Sequence, residues 1–81
     1  AARQKVESER VIAETARLHY DRTEALARGG LVSQRDLELA IQGRDSSIAN
    51  LAAARAYLTQ VEREYDGSIA RMRADRTQAE G

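Results

Sequence analysis

Alternate steps of four and three from Leu37 land on Leu37, Ile41, Arg44, Ile48, Leu51, Arg55, Leu58, Glu62, Tyr65, Ile69, Met72, Arg76 and Ala79, and most of these positions are apolar. A stripe that narrow is the seam of a heptad repeat rather than the broad apolar face of a globular helix. The spacing predicts one coiled-coil helix over about residues 34–80. Small or slender residues flank the seam at Ala40, Ser47, Ala54, Val61 and Ser68, and would let a partner helix come close. The stretch "YDGS" at residues 65–68 is the one candidate break. The register passes Gly67 without a skip, so the helix is expected to continue there, weakened by about 1 kcal/mol.

Residues 2–28 carry a seam of mostly small side chains, at Ala2, Val6, Glu9, Ala13, Ala16, Tyr20, Thr23 and Ala27. Small residues facing larger ones make a workable antiparallel pairing. A second stripe runs along the same helix through Val11, Thr15, Leu18, Arg22 and Leu26. Two stripes imply two neighbours, one the other arm of the hairpin and the second another copy of the chain. At about 1.5 Å per residue the first helix spans roughly 42 Å and the second roughly 72 Å. A fold-back near residue 31 pairs Ala2 with about residue 60 and leaves Val61, Tyr65, Ile69 and Met72 uncovered. Such a seam calls for more first helix upstream or for self-association.

Between the two segments lies "LARGGLVSQRDL". Gly29 and Gly30 end the first helix, because glycine tolerates the left-handed conformation of a C-cap. With Gly30 left-handed, Leu31 falls where a Schellman motif meets Leu26. Ser33 is the expected N-cap of the second helix, with Asp36 completing an approximate capping box. Val32 and Leu37 bracket the cap as a hydrophobic staple. The expected fold is therefore all-α, a single antiparallel two-helix coiled-coil hairpin over residues 1–81, with helices at about 2–28 and 34–80, a turn at 29–32 and a tip at about 22–37.

Composition narrows the function. The 81 residues hold 13 basic and 13 acidic side chains, one His, and no Cys, Pro, Trp or Phe. Interspersed charges of zero sum give no concentrated basic field, so nucleic acid is not an expected partner. No apolar run approaches the roughly 20 residues of a membrane span. The polar faces mix both signs, which argues against a membrane-surface helix. The start "AARQKVESER" does not resemble a signal peptide and has no capping residue, so it reads as a point inside a longer helix. No enzyme, cofactor or metal is expected. His19 stands without a second His or a Cys for a zinc set, and it diverges from Asp21 on a helix. The Gly-Gly pair lacks the strand and the Lys-Ser/Thr ending of a phosphate loop. Glu7/Glu9 and Glu62/Glu64 diverge in the same way and read as solvated charge.

The spacing Arg22-x3-Leu26-x6-Ser33, followed by "LVSQRDLELA", resembles the hairpin tip of periplasmic adaptor proteins, or membrane fusion proteins, of bacterial tripartite efflux and secretion pumps. Tyr20, Gly30, Asp36 and Leu37 also match the pattern, and the specific likeness covers about residues 20–41. The resemblance implies a fragment of a larger, inner-membrane-anchored adaptor located in the periplasm. Its tip would dock on a TolC-like outer-membrane channel through Arg22, Leu26 and Ser33. Copies would pack side by side as a homo-oligomer, for which Val11, Thr15 and Leu18 are the lateral candidates. An inner-membrane transporter of ABC, RND or MFS type would be engaged by the rest of the parent protein. The alternative is a cytoplasmic coiled-coil scaffold or stalk whose turn is simply well capped. Local structure accounts for residues 29–37 either way, whereas Arg22 is left as either a solvated or locally paired arginine or a docking residue.

Overall fold

The computed structural model describes residues 1–80. It consists of two α-helices, α1 (Ala2–Arg28) and α2 (Gln34–Glu80), folded into an antiparallel hairpin. The molecule measures 76 × 15 × 14 Å, so its length is α2 and its width is two helices. α1 ends and α2 begins where the capping signals place them, and α2 runs unbroken through Gly67.

On α1 the interior positions are Ala2, Val6, Glu9, Ala13, Ala16, Tyr20, Thr23 and Ala27, all buried or half-buried, as the small-residue seam predicts. On α2 the interior differs from expectation by one step. Its inward residues are Leu37, Ala40, Arg44, Ser47, Leu51, Ala54 and Leu58. The small residues expected on the flank are in fact the deepest, with Ala40 only 4% exposed and Ala54 8%. Ile41 is half-buried at the edge, Ile48 is 54% exposed and Arg55 is exposed.

The physical reason is closeness of approach. α1 presents alanine and threonine, so its backbone can settle onto the α2 surface only where α2 is equally small. The Ala40, Ser47 and Ala54 file offers that surface, and Ile41 and Ile48 are pushed aside. The polar members of the core are satisfied without crossing the interface. The Thr23 hydroxyl donates to the His19 carbonyl at 2.8 Å, and Ser47 donates to the Gly43 carbonyl at 2.8 Å. Buried Glu9 meets Lys5 Nζ at 2.8 Å. A buried hydroxyl left unpaired would be destabilising by about 1–3 kcal/mol, and none is left so among the described residues.

α1 ends before α2 does. Arg3 Nε reaches Glu62 at 4.0 Å near the end of the paired region. Beyond it Tyr65 and Met72 are 65% and 66% exposed, so the overhang expected from helix lengths is present.

Candidate functional site at the hairpin tip

The turn is built from backbone geometry outward. Gly30 has φ 72°, in the left-handed region that side chains with a Cβ avoid. Its amide donates to Ala27 O at 3.0 Å, and the Leu31 amide donates to Leu26 O at 2.9 Å. These two bonds are the Schellman pattern. Ser33 then caps α2, its Oγ accepting the Asp36 amide at 3.1 Å. Among the described residues the reciprocal arm of the capping box is not made. Asp36 is one methylene shorter than the usual Glu, and its carboxylate does not reach back to the Ser33 amide. The Ser33 hydroxyl, used as an acceptor, keeps its own proton for an outside acceptor.

Arg22 and Leu26 lie one turn apart on α1 and both are exposed, Leu26 by 43%. The lateral candidates Val11, Thr15 and Leu18 continue this outward face and are exposed as well. Arg22 differs in kind from its neighbours. Arg10 grips Glu7 through two nitrogens at 3.0 and 2.6 Å. Arg17 holds Glu14 at 2.7 Å and Asp21 at 2.9 Å, and Arg28 holds Glu24 at 2.6 Å. With Lys5 on Glu9 and Arg3 near Glu62, every charged side chain of α1 except Arg22 has a counter-ion among the described residues. The cause is sequence: Leu18, His19, Ala25 and Leu26 occupy the positions three and four away from Arg22, and none is a carboxylate.

Those ion pairs set the electrostatics of the shaft. Hydrogen bonding and attraction from Arg10 hold the Glu7 carboxyl below the usual value, and Arg17 does the same to Glu14. On α2, Arg44 is half-buried with its guanidinium 4.2 Å above the Tyr20 ring, a cation–π contact across the two helices. Hydrogen bonding to Asp45 raises the Arg44 pKa further.

Beside the turn is a shallow hollow lined by His19, Thr23, Leu26, Val32, Asp36 and Leu39. It unites Leu26 with residues of α2 that the heptad steps pass over. Leu39 is the informative one: it sits two residues after Leu37, off the seam, and is 52% exposed. An aliphatic side chain off the seam of an otherwise polar face is the signal that marks it. Ile12, 49% exposed on α1, is a similar outward apolar residue outside the anticipated stripe.

Among the described residues no group of His, Cys, Asp and Glu could hold a metal ion, and no helix is long and apolar enough to cross a membrane. Comparison with protein-family models, with curated proteins and with solved structures finds no match to this chain.

Proposed function

We propose that the chain is a non-enzymatic docking module, the hairpin of a periplasmic adaptor whose tip engages a TolC-like outer-membrane channel. The observation that carries this reading is Arg22. It is the one charged side chain of α1 without a counter-ion, and it stands beside exposed Leu26 at the closed end of a hairpin 76 Å long. A guanidinium offers a rigid fork of donors suited to carbonyls and carboxylates. Leu26 supplies an apolar anchor, and Ser33 a hydroxyl whose proton is free. Side-by-side packing of copies would use Val11, Thr15 and Leu18, and would link an inner-membrane transporter to the channel through the rest of the adaptor.

The test is Arg22→Asp. Binding of the hairpin to the purified channel, followed by site-directed cross-linking, is expected to disappear, while helicity and melting temperature stay unchanged. A matching loss of thermal stability would make Arg22 structural. Undiminished binding would remove the docking role, and a scaffold in which only seam changes such as Leu51→Asp matter would then be the better reading.

A further inference from the structure

We infer that the overhanging end of α2 is a homodimer surface, on which the same stretch of a second copy of this chain packs antiparallel. α1 runs out beside Val61 and Tyr65, with which Ala1 and Ala2 share a hollow. The next hollow along α2 is lined by Ile69, Met72, Arg73 and Arg76, with no residue of α1. The interior face of the helix nevertheless continues, because Tyr65, Ile69, Met72 and Arg76 follow Leu58 and Glu62 in the same steps of four and three. Tyr65 and Met72 stand 65% and 66% exposed on it.

The hairpin itself shows how this chain covers an arginine on a seam between antiparallel helices. Arg44 holds Asp45 on its own helix and lays its guanidinium 4.2 Å from the centre of the Tyr20 ring on the other. The overhang carries the same parts. Tyr65 and Arg76 are both on the seam, and Arg76 likewise holds Glu80 of its own helix, at 3.0 Å. At about 1.5 Å per residue they are roughly 16 Å apart along α2, so neither can serve the other within one chain. An antiparallel second copy that sets its Met72 on Ile69 brings Tyr65 of each copy opposite Arg76 of the other, and the two-fold axis makes the contact twice. The flanks agree with this register. Asp66 and Arg73 have no ionic partner among the described residues, and here Asp66 of each copy lies beside Arg73 of the other. A parallel copy would instead set Arg76 on Arg76 and Asp66 level with Asp66, and like charges disfavour that orientation. In the antiparallel dimer the second α2 takes up the line of α1, and the two tips point away from each other, both exposed.

Sedimentation of the 81-residue chain over a range of concentrations is expected to show a monomer-dimer equilibrium. Met72→Asp should remove the dimer while the hairpin keeps its helicity, because that side chain touches no part of α1. Arg73→Asp should weaken dimerisation about tenfold, and adding Asp66→Arg to the same chain should restore it. Arg22→Asp should leave the dimer unchanged, so this result is independent of docking at the tip. The chain has no Cys, so introduced thiols report orientation. A mixture of Ser68→Cys and Asp75→Cys chains should cross-link one to the other, and neither to itself. A chain that stays monomeric up to about 1 mM, or a dimer that Met72→Asp leaves intact, would overturn the inference. So would a Ser68→Cys chain that cross-links to itself, or an Asp66 and Arg73 exchange that fails to restore dimerisation.

Discussion

The shaft of α1 and the position of Arg22 near its tip are made from the same few residue types yet differ in how charge is paired. Along the shaft, acids and bases recur three or four residues apart on α1 and neutralise one another within the helix, at Glu7 with Arg10 and at Glu14 with Arg17 and Asp21. Nearer the turn the same spacing still pairs Arg28 with Glu24, but it brings Arg22 only leucine, alanine and histidine, and Asp36 at the start of α2 has no ionic partner among the described residues. A charge already gripped by its own helix has little left for a partner, whereas a free guanidinium beside an exposed leucine does. Along α1, Arg22 is therefore the one charged side chain left open for a new polar contact.

The largest expected effect comes from breaking the shaft. Ala40 is the most buried of the small residues at the helix interface, and Ala40→Leu should lower stability by about 1–3 kcal/mol in thermal melts followed by circular dichroism. Ile48→Ala, half-exposed, should lower it far less. The reverse order would mean that α1 sits on the Ile41 and Ile48 stripe after all.

Next in size are the backbone devices that hold the tip. Gly30→Ala forces a Cβ into the left-handed region, and Ser33→Ala removes the α2 cap. Each should lower stability by about 1 kcal/mol. If neither variant shifts the melting curve, the turn is less tightly specified than its hydrogen bonds imply.

A smaller effect sharpens the contrast between the two regions directly. Arg17→Ala severs two ion pairs and should reduce helicity slightly, whereas Arg22→Ala severs none and should leave it unchanged. Equal losses would erase the distinction between the paired Arg17 and the unpaired Arg22.

The smallest concerns pH. Glu7 and Glu14 have folded-state pKa values below the ordinary 4.5, so their contribution is present at neutral pH and is lost only as pH falls through those lowered values. Acid titration of helicity should show a weak loss below 4.5 that shrinks in Arg10→Gln. A loss starting well above 4.5 would place its origin elsewhere.

Much of this fold was legible in the residues. Helix limits, the Schellman turn at Gly30, the Ser33 cap, the α1 seam and the overhang of α2 all follow from local rules, because they depend on neighbours within a few positions along one chain. The same locality explains why Arg22 is unpaired. For the candidate site, Arg22, Leu26 and Ser33 could be named from their spacing, but Leu39 and His19 could not. They join the tip only because two helices meet there.

What the sequence determined by itself is therefore a two-helix hairpin, capped at its turn, whose first helix carries one arginine with no carboxylate three or four residues away. The tertiary structure decided which stripe of α2 faces inward, choosing Ala40, Ser47 and Ala54 over Ile41, Ile48 and Arg55. It also stacked Arg44 on Tyr20, which turns a polar interruption of the seam into a cross-helix contact. Periodicity is a property of one helix, and two adjacent stripes satisfy it equally well. The choice between them depends on how near the other helix can come, and that is set by side-chain volume on both surfaces at once.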